Sequence, residues 1–166
     1  MKKIKTILTI QEFSNARELD PDFASLLHAA KRAAKDAYAP YSEFQVGCAV
    51  WLDNNVIVQG NNQENIAFPS GMCAERVALF SAKANFPKAK IKAIAITAES
   101  HGKPASVPIY PCGSCRQVIA EYESLQKKPI TILLSGTNDK IIVAPSSETF
   151  LPFQFNASLK KTTKKK

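Results

Sequence analysis

The sequence predicts a three-layer α/β domain with a mixed central sheet of about five strands, and three observations predict it. Stretches of helical and of extended character follow one another in the order α-β-β-α-β-α-β-β, which lays helices on the faces of a sheet. Residues 91–98 (IKAIAITA) are almost continuously apolar, as a strand covered on both faces must be. At 166 residues the chain is long enough to bury a core without disulfide staples.

Each element has its own signal. Asp20 before Pro21 marks a helix start, with Asp as the cap and Pro at the first helical position. Leu26, Leu27, Ala30, Ala33, Ala34 and Ala37 then repeat at three-to-four spacing to about residue 38, where Pro40 closes the helix. Residues 44–52 and 56–60 are short apolar runs separated by Asp53, Asn54 and Asn55, which tolerate turn dihedrals, so they read as a β-hairpin. A polar loop leads to Cys73, and residues 74–84 form a second helix with Val77, Ala78 and Phe80 available for packing. After the strand at 91–98 and a loop bracketed by prolines comes a third helix, from about 113 to 126. Residues 130–134 and 140–143 are further strands, separated by Gly136, Asn138 and Asp139. This organisation gives one domain over residues 1–159, with 1–20 as an extension and 160–166 as a basic, disordered tail.

The net charge of +8 suggests a polyanion partner until its placement is considered. Lys2, Lys3 and Lys5 stand at one end, and Lys160, Lys161, Lys164, Lys165 and Lys166 at the other. Taking these eight from the 22 basic residues leaves 14 against 14 acidic ones, so the body is neutral. It also lacks the interleaved arginines and aromatics of a strand-binding groove, so no nucleic-acid substrate is expected. No apolar run approaches the roughly 20 residues of a membrane span, and the N-terminus is too interrupted for a signal peptide. A cytoplasmic location is expected, where thiols stay reduced.

The chemistry lies in three cysteines and a glutamate. Cys73 is followed at once by Ala74 and Glu75, and 39 residues after Cys73 comes Pro111-Cys112-Gly113-Ser114-Cys115. Three thiolates fill three corners of a tetrahedral zinc and leave the fourth open, with a carboxylate two residues from one ligand; this is the zinc deaminase pattern. Residues two apart on a helix do not share a face, so Cys73 and Glu75 converge only in a first turn whose open end points at the metal. Pro111 places Cys112 at the opening of the other helix, and Cys112 and Cys115, three apart, share a face. Two positive helix ends at one point favour thiolates. Three thiolates on Zn²⁺ leave a negative centre, and Arg76 is the first candidate to hydrogen-bond the sulfurs, Arg116 the second.

Other readings compete. Cys112 and Cys115 alone fit a redox pair, which leaves Cys73 and Glu75 without a role. Cys48 as a fourth ligand would close the site and make it structural, but in the strand VGCAV it reads as a small buried hydrophobe. His28 and His101 match neither ligand slot and read as structural or exposed.

The segments AYAPYSEFQVGCAV (37–50), GNNQENIAFPSGMCAERVALF (60–80) and PCGSCRQ (111–117) closely resemble the free-nucleoside cytidine deaminases, in the three-cysteine, homotetrameric branch. The resemblance runs in register from about residue 29 to 155. It implies a cytidine deaminase-like α-β-α fold, one zinc per subunit on Cys73, Cys112 and Cys115, and Glu75 as the proton shuttle. The implied reaction is hydrolytic deamination of cytidine and deoxycytidine to uridine and deoxyuridine with release of ammonia, as in pyrimidine salvage. Another cytosine nucleoside, such as blasticidin S, is the alternative substrate. By the same resemblance Phe44 packs on the base, and Asn62 and Glu64 hold the ribose hydroxyl. The ending FLPFQF would carry Phe155 into a neighbouring subunit's site, against the plainer reading of Phe155 as core or interface packing. The chain departs from the family at Cys48, often Ala, and at Phe68, often Tyr.

Overall fold

The computed structural model describes residues 1–100, 103–136 and 140–156; His101, Gly102, Asn138, Asp139 and the lysine tail lie outside the described residues. Among the described residues three α-helices cover a mixed seven-stranded sheet. The strands are β1 (Gln11–Phe13), β2 (Phe44–Leu52), β3 (Ile57–Asn61), β4 (Ile91–Ser100), β5 (Lys103–Pro104), β6 (Thr131–Ser135) and β7 (Ile141–Ala144). They run in the order β1-β7-β6-β4-β2-β3, with β5 pairing on β4. The pair β4–β6 is parallel and spanned by a helix, while the other pairs are antiparallel. The expected strands are all present within a residue or two; β1 and β5 raise the count above five.

The helices are α1 (Pro21–Lys35), α2 (Ala74–Asn85) and α3 (Gly113–Gln126). Asp20 caps α1 by accepting the Asp22 N–H at 2.9 Å. The helix stops at Lys35, short of the expected Tyr38. Three residues after the helix ends, Tyr38 turns to the loop after β3, donating to Asn62 O at 3.1 Å and accepting from Glu64 N at 2.8 Å. Pro40, which disfavours helical dihedrals just before it, makes that exchange favourable.

Strand alternation sorts the core into two layers. Cys48, Val50, Leu52, Ile94, Ile96, Ile132 and Leu134 pack with Ala78, Leu79 and Ile119 of α2 and α3. Ala49, Ala93, Ala95 and Leu133 face Leu26, Leu27 and Ala30 of α1. Large side chains therefore meet the two-helix layer, and alanines let α1 lie close. At Gly47 on β2 that approach is backbone to backbone: a Cβ would collide with Ala30 O and stand 2.5 Å from Ala34 N. Cys48 is fully buried among these apolar groups, as expected.

Candidate active site

Cys73 is the cap residue of α2 and Cys112 that of α3, so the two helix N-termini meet as their flanking residues imply. The loop before Cys73 is clamped by a pair of main-chain bonds between Gln63 and Met72, at 2.9 and 2.8 Å. That pairing delivers Cys73 to the mouth of α2, with Glu75 in its first turn.

The Sγ atoms of Cys73, Cys112 and Cys115 lie within 4.8 Å of one another, and the Cys73–Cys112 separation is 3.8 Å. At a Zn–S distance of about 2.3 Å, a tetrahedral site has an S···S edge of about 3.8 Å. The set therefore fits one zinc, and Cys48 lies outside it. The protonation of Cys73 and Cys115 agrees. Hydrogen bonding from the Cys115 thiol, with help from Arg76 and Cys112, pushes Cys73 down to about 5. Cys115 is held well above its ordinary value by donating to Cys73 and by burial. Sulfurs this close must share protons unless a cation replaces them.

Arg76 supplies the expected partner: its Nη2 lies 3.7 Å from Cys73 Sγ. Its Nε is buried with no hydrogen-bond partner in the structure. Arg116 does not take the role of second candidate. Its Nε donates to Pro111 O at 2.7 Å and its Nη1 to Phe150 O at 3.2 Å, so these donors are taken up by main-chain carbonyls. Glu75 is 5 % exposed, and burial pushes its carboxyl above the ordinary range.

Above the sulfurs opens a cavity of about 770 Å³. Cys73, Cys112, Glu75 and Arg76 line one part of it, and Phe44, Asn62 and Glu64 another. Cys115 is fully buried beside Glu75. The polar pair is already partnered. Asn62 accepts from Val46 N at 2.7 Å and donates to Phe44 O at 2.9 Å, which fixes the aromatic's main chain. Glu64 accepts from Tyr41 N at 2.8 Å and from the Ser42 hydroxyl in a short bond. These donors, the hydroxyl first, pull its carboxyl below the ordinary range. Oε2 also accepts from Ser42 N at 3.3 Å, whereas Oε1, which accepts from the Ser42 hydroxyl, keeps acceptor capacity for a hydroxyl in the cavity.

Phe155 stands apart: its ring is 78 % exposed and does not line this chain's own cavity. His28 is exposed, as expected. Sequence reasoning missed Ile109 and Tyr110, which form the wall next to Cys112. Their signal is the apolar pair between the prolines of PIYPC, a segment that reads as loop.

The comparisons with known proteins agree with this geometry. The family model for the "cytidine and deoxycytidylate deaminase zinc-binding region" matches residues 22–130. A cytidine deaminase of Halalkalibacterium halodurans is 36 % identical over 136 residues, covering 82 % of this chain and 96 % of that one. One of Sporosarcina psychrophila is 42 % identical over 101 residues, 61 % of this chain and 70 % of its own. Among solved structures, the cytidine deaminase of Burkholderia pseudomallei superposes with a TM-score of 0.67 at 39 % identity, covering 79 % of this chain and 97 % of its own.

Proposed function

The chain belongs to the family of the cytidine and deoxycytidylate deaminase zinc-binding region, and from that membership we infer that it is a hydrolase that deaminates cytidine and deoxycytidine. The observation that carries the reading is the meeting of three zinc-spaced sulfurs and a buried carboxyl beside one cavity, which Cys73, Cys112 and Glu75 line. Zinc held by Cys73, Cys112 and Cys115 supplies Lewis acidity that makes water nucleophilic near neutral pH. The chain's own groups do the rest. Glu75, not a ligand, is free to exchange its proton: it takes one from water and gives it to N3 of cytosine, then takes the second from the oxygen added at C4 and gives it to the amine leaving C4. Water's oxygen ends on C4, the C4–N bond breaks, and the products are the uracil nucleoside and ammonia.

Phe44 packs on the base, and Asn62 and Glu64 hold the ribose hydroxyl, Asn62 also bonding the main chain of Phe44. A carboxylate there repels phosphate, which favours nucleosides over nucleotides. Arg76 offsets the negative charge on the sulfurs. The alternative of blasticidin S is not favoured, because the relatives are cytidine deaminases and nothing in the cavity selects a larger nucleoside. We place the protein in the cytoplasm, in pyrimidine salvage, as a homotetramer whose Phe155 reaches the neighbouring site. The exposed Phe153 and Phe155 support an assembly.

The test is ammonia release from cytidine, followed by loss of its absorbance. Glu75→Gln should lower turnover by about 10²- to 10⁴-fold while zinc per chain stays unchanged. A fully active variant sinks the mechanism. Light scattering on the same preparation should give four times the chain mass.

A further inference from the structure

Two side chains that directly follow the last sulfur ligand have no part in the chemistry above. Arg116 ties Pro111 O, next to Cys112, to Phe150 O at the start of the C-terminal stretch. Gln117 pairs with both main-chain groups of one residue: its Nε2 donates to Phe155 O at 3.0 Å, and its Oε1 accepts from Phe155 N at 3.1 Å. Further along α3, Glu123 accepts from Ser147 N at 2.8 Å. The chain after β7 therefore runs back along α3 towards the end that carries Cys112 and Cys115.

A primary amide bonded to the N–H and the C=O of the same residue imitates one step of a β-ladder. It fixes orientation as well as position, where a single bond would leave a pivot. The Arg116 bonds act at the other end of the same stretch, and there Phe150 meets Tyr110 edge to face at 5.5 Å. Tyr110 is part of the cavity wall. Metal helix, cavity wall and C-terminal aromatics are thus joined at two points, and the Phe155 ring is left facing outwards.

We propose that Arg116 and Gln117 are positioning residues for nucleoside binding, latching residues 150–155 to the metal-bearing helix so that Tyr110 and Phe155 keep fixed places relative to the sulfurs. The substrate in this proposal rests on the deaminase reading, and the test lets the two fail separately. Gln117→Glu keeps shape and acceptor but turns an oxygen towards Phe155 O, and Gln117→Ala removes both bonds. Gln154→Ala, exposed in the same stretch, is the control.

The readouts on the full-length zinc-loaded protein are deuterium exchange of peptides covering 150–156, KM and kcat for cytidine, and zinc per chain. Losing two hydrogen bonds should speed exchange there by about tenfold. KM should rise by more than kcat falls, zinc should match the unaltered protein, and Gln154→Ala should do none of this. Unchanged exchange overturns the latch. Faster exchange with unchanged KM overturns its role in binding, as does a common fall of kcat, zinc and melting temperature with KM constant. If the unaltered protein fails to deaminate cytidine, the substrate reading falls, and the exchange comparison still decides whether the latch exists.

Discussion

Glu64 shows how one carboxylate is prepared for work before any ligand arrives. The Ser42 hydroxyl and the Tyr41 N–H both donate to it, and these bonds are stronger to the ionised form, so its folded pKa lies below the ordinary value. A group depressed in this way stabilises its loop at all pH values above the ordinary carboxyl range, and that contribution disappears as pH falls through the folded pKa. The KM for cytidine should therefore rise on acidification as Glu64 takes up a proton. Ser42→Ala removes the larger of the two causes and should move the rise to higher pH, with zinc content checked at each point. A KM profile that does not move means Glu64 is not the group that meets the substrate. At this scale the ligands were readable in the sequence, because Cys73, Glu75, Cys112 and Cys115 must keep fixed spacings to share a metal. The use made of Asn62, Arg116 and Gln117 was not, since side-chain bonds to distant main chain leave no local pattern.

Among the elements, α1 and β2 are matched through a missing side chain. The alanine face of α1 was legible from its periodicity, yet the reason for alanine lies across the interface, where Gly47 lets the helix axis approach the strand. Gly47→Ala would press a Cβ against Ala30 O and Ala34 N, both main-chain atoms that move only if the whole helix moves. Overpacking of this kind costs about 2–3 kcal/mol, and the melting temperature should fall by about 5 °C or more. A melt superimposable on that of the unaltered protein would mean that α1 can shift freely. The three-residue β1 was illegible for the opposite reason. Gln11–Phe13 has neither alternation nor a turn signal, and it is a strand because β7 offers an open edge, Lys140 pairs with Glu12 at 3.0 Å and Phe13 packs on the α1 layer. The early end of α1 has the same origin: tertiary bonds from Tyr38 outbid the helix.

The molecule as a whole is arranged around a point where like groups would repel. Two helix caps and one first-turn residue bring three sulfurs together at the ends of α2 and α3. Loops from residues 63–72 and 109–112 close round them. The hydrogen bond from Cys115 to Cys73 holds Cys115 up and pushes Cys73 down. A metal that replaces the thiol protons binds the folded chain more tightly than the unfolded one, so its difference in affinity adds to stability. Removing it with a chelator should lower the melting temperature by about 10 °C, given the size of the chain and a ligand present far above its dissociation constant. Stoichiometric zinc should restore the melt and the activity together. Magnesium should restore neither, because it requires oxygen ligands in an octahedron and the site offers sulfur in a tetrahedron. If the chelated protein melts where the loaded one does, the metal is not part of the fold's stability, and the two helix N-termini must be held together by the alanine and isoleucine contacts beneath them.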